Sequence, residues 1–102
     1  MTSALLTTDG TLTIRERIAI PGGSVASIKL VDSSGEVLAA TAVVADAVPV
    51  AFTLHTDTEF LPADGHVLLW AAFRTDIGLW GTPDLVPVTG DAVELVLQKI
   101  ET

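Results

Sequence analysis

The chain contains no cysteine and no tyrosine, and only two tryptophans and three phenylalanines in 102 residues. Without cysteine there is no disulfide, no thiolate nucleophile, no zinc–thiolate centre and no sulfur within the sequence to carry a lipid. Basic residues are also scarce, five Lys and Arg against thirteen Asp and Glu, for a formal charge of −8. Nucleic-acid and anionic-membrane partners are excluded on this ground, because phosphate binding needs clustered cations. The acids are dispersed, which reads as solubility. Long hydrophobic runs are missing too: the uncharged stretches Val37 to Ala45 and Val67 to Phe73 fall far short of the ~20 residues of a spanning helix. The opening "MTSALLTTDG" has no basic region and only a short apolar stretch, so it is not a signal peptide. The sequence as written therefore points to the cytoplasm, or to the cell envelope if a leader precedes it.

Nearly half of the residues, 49%, are hydrophobic, and they recur with a period of two. "GTLTIRERIAI" puts Leu12, Ile14, Glu16, Ile18 and Ile20 on one side of an extended strand. Arg15 and Arg17 fall on the other. "PGGS" stops that strand, and "VASIKLVD" groups Ala26, Ile28 and Leu30. "DSSGE" is a turn with Asp32 first and Gly35 fourth, returning into "EVLAATAVV", apolar on both faces. "VPVAFTLHT" alternates with Val48, Val50, Phe52 and Leu54 inward, and Pro49 marks an edge or a bulge. "DTEFLPADG" is a loop with one helical turn that Asp57 can cap. "HVLLWAAFR" turns at "TDIG" into "LWGTPDLVPV", and "VELVLQKI" closes the chain with Val93, Leu95 and Leu97. No stretch sustains a helical period. The expectation is all-β: a single seven-stranded antiparallel β-sandwich, immunoglobulin-like or transthyretin-like, over residues 1–102, with 1–9 a flexible N-terminal segment.

Catalytic signals are weak. Ser24, Ser27, Ser33 and Ser34 stand in turns and strands without a nucleophile elbow. His55, Asp57, Glu59, Asp64 and His66 crowd one loop region, and a small metal-dependent binder or enzyme built on them is the alternative reading. Their spacing matches no ligand motif, so neither metal nor cofactor is expected. Strict alternation would bury Glu16, at high cost to an unpaired carboxylate. Arg15, Glu16 and Arg17 are therefore read as a structural charge cluster, relieved by a bulge or by the nearby end of the sheet.

The aromatics say more. If Thr75 and Gly78 close the "TDIG" turn, Phe73 faces Trp80 on the core side. The opposite face then carries Leu68, Trp70, Pro83 and Leu85, an apolar patch that needs a cover. Ala4, Leu5 and Leu6, a second copy of the chain, or another protein can supply it. The patch is the candidate partner-binding site, for a protein partner or for a homodimer, by face contact or by strand addition at an exposed edge.

"GTLTIRERIAIPGGSVASIKLVD" also resembles the opening of the YbaY lipoprotein family, which includes YscW, the type III secretion lipoprotein chaperone, a pilotin. The shared positions are Gly10, Arg15, Glu16, Arg17, Ile18, Pro21, Gly22, Leu30 and Asp32. Two further segments are similar, "VPVAFTL" at Val48, Pro49, Phe52 and Leu54, and "PVTGDAVELVL" at Pro87, Val88, Thr89 and Gly90. The resemblance implies a non-enzymatic β-sandwich of the bacterial envelope, lipid-anchored in its better-understood members, some of which escort an outer-membrane secretin subunit. The expected function is a non-catalytic protein-binding or chaperone-like module without cofactors.

Overall fold

The computed structural model describes residues 5–63, 65–89 and 92–100. The two-residue rhythm becomes eight strands: β1 (Leu5–Ile14), β2 (Ser24–Asp32), β3 (Val37–Ala45), β4 (Val50–Asp57), β5 (Val67–Thr75), β6 (Gly78–Gly81), β7 (Val86–Pro87) and β8 (Ala92–Lys99). A single 3-10 turn at Thr58–Phe60 precedes β5, with the Asp57 carboxylate accepting the Glu59 N–H at 2.9 Å. The fold is all-β, as expected, with eight strands in place of the seven expected and one parallel pair, β1 with β8, among the antiparallel ones. One hydrogen-bonded path runs β3–β2–β5–β6–β8–β1–β4, with β7 added to β5. Its ends, β3 and β4, contact each other without being ladder neighbours, so the sheet curls into a nearly closed barrel.

The join is made by β8. Residues Ala92 to Leu97 run parallel to β1, whereas Gln98 and Lys99 pair antiparallel with β6. First and last strands thus lie side by side, a contact of long sequence separation that alternation alone does not reveal. β1 begins at Leu5, so residues 5–9 of the stretch expected to be flexible are paired with β4.

The core follows the predicted faces. Leu12, Ile28, Leu30, Leu69, Phe73 and Leu97 are fully enclosed, with Val50, Phe52, Leu54 and Leu95 beside them. Phe52 packs across Gly10: a Cβ at position 10 would lie 2.6 Å from the Phe52 ring and 2.5 Å from the Val93 carbonyl oxygen. Glycine is the residue that lets the ring close over two adjoining strands at this crossing.

The first strand is shorter than its pattern. It ends at Ile14, and residues 15–23 form a connection that leaves Arg15, Arg17 and Ile18 exposed while Ile20 returns to the core. The reason is Glu16. Outside the ladder its carboxylate avoids the core and accepts a hydrogen bond from the indole Nε1 of Trp80. Trp80 is only 1% exposed, so its N–H needs an acceptor in place of water. The turn after β2 is likewise held by a carboxylate. Asp32 Oδ1 accepts from Ser34 Oγ, Ser34 N and Glu36 N at 2.6, 2.9 and 3.0 Å. Gly35, with φ of 90°, takes the left-handed position that glycine adopts without cost.

Two outcomes follow from these carboxylates. Glu16→Ala orphans the Trp80 N–H and should lower the unfolding free energy by about 1–3 kcal/mol, whereas Glu16→Gln keeps an acceptor and should lose clearly less. Urea titrations of the two variants check this. The hydrogen bonds from Ser34 and then Glu36 hold the Asp32 carboxyl below its ordinary 3.8. A lowered folded-state value means that the charged form adds stability above the unfolded value and loses it as the pH falls through the folded one. Wild type should therefore exceed Asp32→Asn in urea midpoint at neutral pH, and the gap should close at pH values below 3.8.

Candidate functional site

β5 carries two faces with different tasks. Val67, Leu69, Ala71 and Phe73 point inward and are buried, while Leu68, Trp70 and Ala72 point outward and are half-buried. The turn forms as expected, Thr75 opposite Gly78 and Phe73 opposite Trp80. Thr75 Oγ1 receives the Ile77 N–H at 3.1 Å and donates to the Gly78 carbonyl at 3.0 Å, which locks the hairpin end.

Beyond Gly81 the expected geometry stops. The β6 ladder ends at Gly81 opposite Ala72, and β7 resumes pairing only at Val86 and Pro87, opposite Leu69 and Leu68. Between them Thr82 stands in for a ladder partner, its N–H donating to the Ala71 carbonyl at 3.0 Å and its Oγ1 accepting the Ala71 N–H at 3.3 Å. Pro83 and Leu85 lie on the excursion that this break creates, both exposed. Of the four residues grouped from the sequence, Leu68 and Trp70 share the outward face of β5, and Pro83 and Leu85 do not line the hollow beside Trp70.

That hollow has a volume of about 450 Å³ and is lined by Val25, Ser27, Trp70, Ala72, Arg74, Leu79 and Ile100. The register explains its shape. Ser27 is opposite Ala72 across β2 and β5, and Ala72 is opposite Gly81 across β5 and β6. Small residues make a low floor, and the Val25–Arg74–Leu79 row and Trp70 rise on either side of it. A second hollow, about 590 Å³, adjoins it at the hairpin end and shares Arg74, Leu79 and Ile100. Alternation singled out Trp70; Val25, Leu79 and Ile100 were missed because their approach depends on which strands become neighbours of β5.

Nor do the N-terminal leucines cover the face. Leu5 and Leu6 pair with Asp57 and Thr56 on β4, and Leu5 is 66% exposed; Ala4 lies outside the described residues. The charge triplet sits in the connection after β1, with Glu16 on Trp80 as described. Lys29, opposite Trp70 in the β2–β5 register, sets its Nζ 5.1 Å from the Trp70 ring centroid. Lys99 stands over Trp80 at 5.8 Å.

The loop that suggested a metal does not assemble one among the described residues, where no three His, Asp or Glu side chains converge. Asp57 caps the 3-10 turn, and His55 Nδ1 lies 3.3 Å from the Thr7 hydroxyl on the outside of β4. Asp64 lies outside the described residues. Ser24 donates to the Pro21 carbonyl at 2.7 Å and Ser34 to Asp32, so both hydroxyls serve turns. Among the described residues no helix is long and apolar enough to cross a membrane.

Comparison with known proteins supplies the context. No curated protein matches the chain. Among solved structures, an alternative pilotin from the type II secretion system of Vibrio cholerae superposes with a TM-score of 0.86, at 23% identity, over 97% of this chain and 100% of that one. The two proteins share a fold. The family model of the type III secretion system lipoprotein chaperone YscW matches residues 3–97, and the chain belongs to that family.

Proposed function

We propose that the protein is a non-catalytic, pilotin-like chaperone module that captures an apolar segment of a secretion-system protein on the outward face of β5, around Trp70. Family membership supports the chaperone role and a station in the bacterial envelope, and a secretin-type outer-membrane subunit is the partner class this role implies. The observation that carries the reading is the position of Trp70: a large aromatic, half-buried, beside a hollow walled by Val25, Leu79 and Ile100.

The mode of contact follows from the strand order. β5 has β2 on one side and β6 and β7 on the other, so its backbone groups are already used and it cannot accept an added strand. A partner at this face binds through side chains packed into the hollow, and the indole is the natural anchor, since Trp is over-represented among residues that dominate interface energies.

In a binding measurement with the secretin subunit of the same secretion system, Trp70→Ala should weaken capture by about 30-fold, the loss typical of a strong anchor. The same change should cost only about 1–2 kcal/mol of unfolding free energy, because the ring sits outside the core and its lysine contact is worth little more. Undiminished capture by a folded Trp70→Ala protein would overturn this site.

A further inference from the structure

The outward face of β5 differs from the rest of the molecule in charge. Arg74 lines the hollow beside Trp70, and Lys29 stands over the indole at its opposite end, whereas Lys99 pairs with Trp80 and lies on the other face of the sheet. Lys29 and Arg74 are two of the five basic residues in the chain. Asp76 is the one carboxylate among the described residues lining either hollow. Two cations thus stand at the Trp70 hollow, which no carboxylate lines among the described residues, in a chain whose formal charge is −8. Lys29 lies over the Trp70 indole, which fixes its stem on apolar surface and leaves its ammonium group for a partner.

We infer that this trough selects an apolar segment flanked by carboxylates, an acidic amphipathic peptide whose apolar residue packs on Trp70 while its acids meet Lys29 and Arg74. The inference rests on the docking site proposed above and adds the chemistry of its occupant. Lys29 is beside Trp70, and Arg74 lies four residues further along β5, so the two cations are separated by about 13 Å at the strand rise of ~3.3 Å per residue. Acids spaced by that distance on either side of an apolar residue fit. The net negative charge of the molecule opposes an acidic ligand at long range. At physiological ionic strength, however, screening confines interactions to about 8 Å, so the local cations decide the outcome. An apolar trough also lowers the effective dielectric around pairs formed at its rim.

The test uses two labelled peptides of about 18 residues, long enough for a helix or strand to span the trough, with identical Leu, Val and Phe positions and either Glu or Lys elsewhere. Fluorescence anisotropy is read at near-physiological salt against wild type, Trp70→Ala and the double variant Lys29→Glu/Arg74→Glu, each first shown by urea titration to be folded. The Glu peptide should bind on the order of tenfold more tightly than the Lys peptide, as two exposed charge pairs allow. The double variant should reverse the preference, and 1 M salt, with a screening length of about 3 Å, should erase it. Equal binding of both peptides, lost in Trp70→Ala, overturns the charge selection and leaves the docking face intact. Binding indifferent to all the substitutions overturns both. Failure of the Glu peptide to bind, while Trp70-dependent capture of the secretin subunit persists, overturns the charge selection alone. Preference for phosphatidylglycerol vesicles over the Glu peptide, lost in the double variant, assigns the cations to a lipid headgroup and also overturns the inference.

Discussion

The pleat of β5 is the constraint on which the rest of the molecule depends. Val67, Leu69, Ala71 and Phe73 fill the interior from one side of this strand, and Leu68, Trp70, Ala72 and Arg74 form the outward face from the other. Core and candidate site are therefore the two sides of one nine-residue segment. Because the side-chain period is two, a slip of a single residue would drive Arg74 and Trp70 inward and turn Phe73 out. The register with β2 on one flank and β6 on the other prevents that slip, with Ala26 and Trp80 both opposite Phe73. The hydroxyl of Thr82 holds the ladder where β6 has already ended.

This coupling explains why some of the structure was legible in the sequence and some was not. Alternation is a local signal, and the faces of β2, β4, β5 and β8 follow it, as does the hairpin at Thr75 to Gly78. The same rule overextended β1 to Ile20, because nothing near Glu16 announces that its partner is an indole 64 residues away. The parallel pairing of β1 with β8 is equally non-local, and with it the join that turns two expected layers into one curled sheet. Trp70 stood out as a bulky apolar residue on an outward face. Its companions on the sequence reading, Pro83 and Leu85, came from carrying the hairpin register past Gly81. The residues that wall the hollow, Val25 and Ile100, come from segments whose adjacency is a fact of topology.

Polar side chains in this protein are largely committed to shaping backbone. Asp32 and Asp57 hold turns, Ser24 closes the bend after Pro21, Thr75 locks the hairpin and Glu16 satisfies a buried indole. Each removes a donor or acceptor that would otherwise be left unpaired at the ends of a strand. The outward face of β5, in contrast, combines apolar walls with cations that reach its rim, and that combination favours recognition by packing and charge over chemistry on a substrate.

A half-exposed tryptophan beside a hollow is a liability as well as a tool, since apolar patches invite indiscriminate contact. The charge pattern limits it in two steps. A formal charge of −8 sets a like-charge repulsion between copies of the chain at distances where screening is incomplete. At contact, Lys29 and Arg74 raise the cost for any apolar segment that brings cations of its own, because a like charge held at a desolvated rim is repelled. On the proposed reading, specificity then comes from what the face rejects as much as from what Trp70 attracts. A chaperone that must hold an apolar segment without becoming sticky towards every other one needs both halves of that arrangement, and on the proposed reading the pleat of one strand supplies the anchor while Lys29 and Arg74 supply the filter.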